Sequence, residues 1–234
     1  MASAQDIANR VPITVGLMLA TVMNSLDSTI ANVALPHMAG SVSASYDQIT
    51  WVLTSYIIAA AIMTPLTGWL SMRIGRKAMF LFSIAGFTVA SMLCGVSQSL
   101  VEIVGFRLLQ GLCGAALIPL SQAVVLDLYP PSQVGQVMAI WGAGAILGPI
   151  FGPMLGGWLT DNFSWRWVFF INIPVGIASM LLSNAMVSDP PHLKEAREHG
   201  DKSVDWLGLT LVATGLGCLD FVLDKGQEDD WFHS

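Results

Sequence analysis

The chain has 234 residues, of which 54% are hydrophobic and 11% charged, against roughly 25% charged in an ordinary soluble domain. With a mean hydropathy of +0.64, this excludes a soluble globular protein, and the apolar content excludes a disordered chain. The net charge of −6 implies no basic partner, because ten of the 16 acidic residues lie after residue 188, and no basic patch for nucleic acid exists.

At about 20 residues per spanning helix the chain has room for about seven helices. Apolar runs bounded by charges or turn residues predict spans over 12–35, 48–70, 78–97, 101–126, 137–160, 167–187 and 206–223. The first is not a signal peptide: Asn24, Asp27 and Asn32 interrupt it, and no small-residue cleavage pattern follows. Between the second and third spans, Gly68 to Lys77 reads as a short turn with glycine at its bend. Its cations Arg73, Arg76 and Lys77 suit it to hold helix ends at the cytoplasmic face and to touch anionic lipid. The stretch 188–205, opening Asp189-Pro190-Pro191, reads as a cytoplasmic linker, and 224–234 as an extracytoplasmic tail. An N-terminus inside places seven of the ten Lys and Arg in the cytoplasm and only Arg166 and Lys225 outside, the remaining one being Arg107 within a span.

An ionisable residue inside a span costs about 2.5 to 3.5 kcal/mol, so it faces a cavity or a partner. Asp27 lies roughly 12 Å from the outer end of the first span and Arg107 roughly 9 Å from the outer start of the fourth, at about 1.5 Å of rise per residue. A pair at that depth offsets the desolvation of both charges, and the proton affinity of Asp27 would respond to whether Arg107 or a cationic substrate stands beside it. Thr21, Asn24, Ser25, Ser28 and Asn32 recur at helical spacing around Asp27 and are expected to line a hydrated path. Glu102 and Asp220 lie near span ends and read as interfacial.

The fifth span carries Gly144, Gly148, Gly152 and Gly156 at every fourth position, with Pro149 and Pro153 between them and Gly157 following. Glycines at that interval give a flat face for close helix approach, and the prolines bend the helix, so this span is expected to be a surface on which a neighbour packs or rocks. Cys94, Cys113 and Cys218 sit in apolar runs and act as small apolar residues. His37, His192, His199 and His233 show no metal-ligand spacing, and no Gly-rich loop follows a strand, so neither a metal site nor enzyme chemistry is expected.

Several stretches resemble the major facilitator superfamily, specifically its fourteen-helix drug:proton antiporters of the EmrB/QacA type. Leu26-Asp27-Ser28-Thr29-Ile30-Ala31-Asn32-Val33-Ala34-Leu35-Pro36 resembles the signature of the first helix, and Gly68, Arg73, Gly75, Arg76 and Lys77 fit the loop motif after the second, with Met72 where that motif commonly has aspartate. Arg107-Leu108-Leu109-Gln110-Gly111 resembles the fourth-helix motif, and Gly148-Pro149-Ile150-Phe151-Gly152-Pro153-Met154-Leu155-Gly156-Gly157 the antiporter motif of the fifth. Trp165-Arg166-Trp167-Val168-Phe169-Phe170-Ile171-Asn172-Ile173-Pro174 is also typical of the family. Asp220 stands where an uncharged polar residue is expected.

The resemblance implies an all-α membrane protein: a six-helix bundle over 1–187, built as a 3+3 inverted repeat, followed by one additional helix. It implies a proton-coupled multidrug efflux transporter in the cell membrane, present as its N-terminal half, needing no cofactor beyond the proton gradient. Asp27 would be the proton-sensing or cation-sensing carboxylate and Arg107 its tuning partner, with Asn24 and Gln110 as polar groups of the cavity and the helix 5 glycine-proline face as a moving joint. The implied partners are membrane lipid, a small hydrophobic or cationic substrate, and a separate C-terminal half. Alternating access needs two bundles, so the competing expectation is a truncated or split-gene chain that transports nothing alone. A seven-helix receptor is opposed by the inward N-terminus and by the lack of a lysine midway along the last span.

Overall fold

The computed structural model describes residues 10–186 and 206–226; the predicted linker and most of the predicted tail lie outside the described residues. Long apolar runs with no competing turn signals form helices throughout. The first, α1, spans Arg10–Val42 and runs past Pro36, because Leu35 and Met38 remain buried against Ile49 and Val52. It stops at Ser43, which takes a left-handed φ of 53°. Ser45 and Gln48 then form a reciprocal capping box that starts a short turn, Tyr46–Ile49, leading into α2, Trp51–Ile74.

Gly75 separates α2 from α3, Arg76–Val96, with a φ of 96° that a residue bearing a side chain rarely adopts. Ser99 caps the start of α4, which comes in two segments, Leu100–Gly114 and Leu117–Leu128. The break falls at Ala115 and Ala116 because Pro119 has no N–H to offer the Ala115 carbonyl. The next helix, α5, spans Pro131–Asn162 and starts six residues earlier than the apolar run suggests, with Pro131 in its first turn. In α6, Trp167–Phe170 and Asn172–Met186 are divided at Ile171, where Pro174 likewise cannot pair with the Phe170 carbonyl. The last helix, α7, is Trp206–Lys225.

Among the described residues, six helices are long and apolar enough to cross a membrane, and Leu207–Leu223 forms a shorter apolar one. Their outer faces carry large apolar side chains such as Val101, Met154 and Leu207, as a lipid environment requires.

The packing follows one rule. Helix α1 lies on α5 and α6, α4 lies on α2 and α3, and α3 meets α6. Exchanging α1 with α4, α2 with α5 and α3 with α6 maps this set of pairs onto itself, which is the mark of a 3+3 inverted repeat. Close contact recurs at small residues: Gly16 against Leu182, Gly86 against Cys113, Gly111 against Tyr56 and Gly176 against Thr88. Helix α7 lies outside this repeat, on α2, with Phe221 beside Trp51 at 6.1 Å between ring centroids and Gly217 against Ile62.

Candidate functional site

The two spans predicted to carry charge at matching depth bring those charges together. Asp27 in α1 and Arg107 in α4 are both 0% exposed, and Arg107 Nη1 donates to Asp27 Oδ2 at 2.5 Å. One turn after Arg107, Gln110 uses both ends of its amide: Nε2 donates to Asp27 Oδ1 at 3.0 Å, and Oε1 accepts from Arg107 Nη1 at 2.9 Å. A third donor comes from α6, where Asn172 Nδ2 reaches Asp27 Oδ1 at 2.8 Å. The same nitrogen donates to Ser91 Oγ of α3 at 3.0 Å, and Ser91 donates in turn to the Phe169 carbonyl at 2.9 Å.

The arginine head is enclosed by aromatic faces, with Tyr56 of α2 and Phe169 of α6 each 5.0 Å from its central carbon. Its Nε and Nη2 have no hydrogen-bond partner among the described residues. Asn24 Nδ2 donates to the Tyr56 hydroxyl at 3.0 Å and to the Gly114 carbonyl at 3.3 Å, beside the break in α4. Cys94 of α3 contacts Gln110 Oε1 at 3.7 Å. Five spans therefore contribute to one network around a single carboxylate, which three hydrogen bonds satisfy; a buried ion pair requires such partners to offset its desolvation.

This geometry differs from an open cavity lined by polar groups. Gln110 is fully buried as a second donor to Asp27, and Asn24 is buried against Tyr56, so neither faces open space. The polar residues around Asp27 point several ways instead of lining one path. Thr21 bonds with Ser121 of α4, Ser25 and Thr29 reach α5, and Ser28 and Asn32 are exposed. Helical spacing alone could not separate these directions, because polar residues three, four and seven apart share a broad face on which several neighbours compete. Tyr56, Ser91 and Asn172 belong to the site and escaped sequence reasoning, being neutral residues of types common throughout these spans; the family stretch ending at Pro174 marked the right segment without a role for Asn172.

The α5 glycines meet α1 inside the same bundle. A Cβ on Gly148 would lie 2.5 to 2.7 Å from atoms of Ser25 and Leu26, one on Gly144 would meet Met18, one on Gly152 would meet Thr29, and one on Gly156 would meet Ile30. Such close approach brings hydroxyls across the seam: Ser25 donates to the Ala145 carbonyl at 2.7 Å and Thr29 to the Gly148 carbonyl at 3.1 Å. The Ala145 carbonyl is available because Pro149 lacks the N–H that would have paired with it. Pro149 and Pro153 themselves are exposed on another side of the helix, and a methyl group on Gly157 would meet nothing within 4 Å. The glycines and prolines thus form two faces, not one.

The loop motif also divides. Gly68 sits within α2, exposed and with open space around it, whereas Gly75 makes the bend. Arg76 pairs with Asp127 at the end of α4 and donates to the Ala123 carbonyl at 3.3 Å. Lys77 donates to the Asn184 carbonyl at 2.7 Å, and Arg73 stands 4.8 Å over the Trp69 ring. These contacts tie the ends of α3, α4 and α6 together. Asp127 is a partner that the sequence did not single out. At the opposite end, Arg166 donates to the Ser97 carbonyl at 2.8 Å, and exposed Glu102 accepts from the Gln98 N–H at 2.8 Å.

An interlocked 3+3 helical bundle, apolar outside and carrying a buried charge pair where its repeats meet, has the architecture of an inverted-repeat secondary transporter. The chain belongs to the Major Facilitator Superfamily, whose profile matches residues 17–222. It is 46% identical over 222 residues to the multidrug export protein EmrB of Haemophilus influenzae, an alignment spanning 95% of this chain and 42% of that protein. It is 44% identical over 223 residues to the fatty acid resistance protein FarB of Neisseria gonorrhoeae, spanning 95% of this chain and 43% of the relative. The chain therefore spans less than half the length of these relatives. Among solved structures, the partially occluded inward-open xylose transporter XylE of E. coli superposes with a TM-score of 0.70 at 16% identity, covering 93% of this chain and 60% of that one, a likeness of fold.

Proposed function

We propose that the chain is the N-terminal half of a proton-coupled multidrug efflux transporter, with Asp27 as the proton-binding carboxylate. The observation that carries this reading is the position of Asp27. It is the one acidic residue buried among the described residues of the bundle core, joined by donors from two other spans, so a change in its charge alters contacts on both of them. The names of the EmrB and FarB relatives support small amphipathic molecules as cargo, drugs or fatty acids. Alternating access places the cargo at the midplane between this bundle and a second one, and the length of the relatives supports such a second bundle.

The charge distribution supports a plasma or inner membrane location with the N-terminus in the cytoplasm. No cofactor is required by this reading, since the proton gradient supplies the energy. The test is proton-driven efflux of a cationic dye by cells expressing the chain together with the second six-helix bundle. Asp27→Asn removes the proton site while keeping the volume, and is expected to abolish gradient-dependent efflux while leaving dye binding in place. Normal efflux by this variant rejects the assignment.

A further inference from the structure

We propose that Asn172 is an amide switch that reads the protonation state of Asp27, turning from donor to acceptor when the carboxylate gains a proton. The switch rests on the reading of Asp27 as the proton-binding group. Donors are distributed unevenly over that carboxylate. Among the described residues, Oδ2 takes only Arg107, whereas Oδ1 takes two neutral amides, Gln110 and Asn172. An ionised carboxylate accepts only, so both amides present their NH2 edge.

When a proton arrives from hydronium, one carboxylate oxygen forms an O–H bond and becomes a donor, and whatever faced that oxygen as a donor must give way. Arg107 has no acceptor to offer, so Oδ2 is the wrong oxygen. Gln110 cannot turn, because its carbonyl already accepts from Arg107 Nη1, and turning would set NH2 against guanidinium. Asn172 is oriented by Asp27 and Ser91. Ser91 is a hydroxyl, and a hydroxyl exchanges donor and acceptor roles by rotation.

A half-turn of the Asn172 amide places its Oδ1 where Nδ2 stood. It then accepts from the new Asp27 O–H and from Ser91, whose hydroxyl leaves the Phe169 carbonyl. Arg107 keeps Oδ2, and Gln110 keeps its second lone pair on Oδ1. No bond is lost at the carboxylate; the Asn172 NH2, turned to where its Oδ1 stood, gives up both of its acceptors, and the Phe169 carbonyl, two residues before the division of α6 at Ile171, loses the Ser91 hydroxyl. The proton on α1 is thereby read at the break of α6. The other ionisable groups facing Asp27 are Arg107 from α4, Tyr56 from α2 and Cys94 from α3. Neither α5 up to Thr160 nor α6 carries an ionisable side chain apart from the tail end of α5 at Asp161.

Infrared difference spectra of the protein reconstituted in lipid vesicles, recorded across a pH step, test the switch. The carboxylic C=O band that disappears in Asp27→Asn reports the proton. A side-chain amide band is expected to change at the same pH, to vanish in Asn172→Leu, and to be replaced in Asn172→Ser by a hydroxyl response, since a hydroxyl can also exchange roles. With carbonyl-13C phenylalanine, a backbone band is expected to shift on protonation in the wild type and to stay fixed in Ser91→Ala. If the Asp27 band titrates while amide and Phe169 carbonyl bands remain unchanged, Asn172 is a static donor and the switch is rejected. If no Asp27-dependent carboxylic band forms at any pH, the proton-binding reading itself fails, and the switch with it.

Discussion

Arg107 holds its charge at the centre of the bundle through one carboxylate, one amide oxygen and two aromatic faces. Removing it strands Asp27, and Arg107→Ala is expected to destabilise the bundle by about 3 to 5 kcal/mol, because an uncompensated buried charge remains. The same substitution made in an Asp27→Asn background should cost much less, and the difference between the two, read by unfolding in detergent, measures the coupling. Additive costs would show that the two residues do not act as a pair. That this pair exists was legible from sequence, since charges within apolar spans are rare and the helical rise converts position into depth. The rest of the network was not. Asn172, Ser91 and Tyr56 are neutral, and a neutral polar residue in a membrane helix has many partners at similar cost.

At the scale of the helices, α5 and α1 approach through glycines that leave no room for a methyl group at Gly148. Gly148→Ala is expected to cost about 1 to 3 kcal/mol by pushing the Ser25 and Leu26 backbone away. Gly157→Ala, on the same helix with nothing within 4 Å, should be neutral or stabilising by up to about 1 kcal/mol through helix propensity. Thermal unfolding of the two variants separates a packed face from a merely flexible helix, and equal effects would contradict the seam. The four-residue spacing made this face visible in advance, but its partner could have been any of six other helices. The division of α4 and α6 was also hidden, because each break comes from a proline three residues downstream, inside an apolar run that reads as continuous helix. The start of α5 was missed because Ser132, Gln133 and Gln136 dilute the apolar signal.

For the whole molecule, the order of spans and the fold class followed from hydropathy, and the family from motif order. How the repeats interlock came only from the packing. The distribution of Lys and Arg predicts that a reporter fused before residue 10 lies in the cytoplasm and that one fused after residue 226 lies outside. Protease protection in sealed vesicles checks both. The reverse arrangement would turn the Arg76–Asp127 end of the bundle outward.

The interlocked repeat also constrains how the protein is made. Since α1, α2 and α3 pack chiefly on α4, α5 and α6 and little on one another, the first three helices to leave the ribosome have almost nothing to hold. Asp27 enters the bilayer 80 residues ahead of Arg107, an interval of about 4 to 16 s at ordinary synthesis rates. Through that interval the carboxylate has neither its counter-ion nor its amide donors. Biogenesis must keep the leading three helices apart and sheltered until the fourth inserts, and the carboxylate waits longer still for Asn172, which follows it by 145 residues.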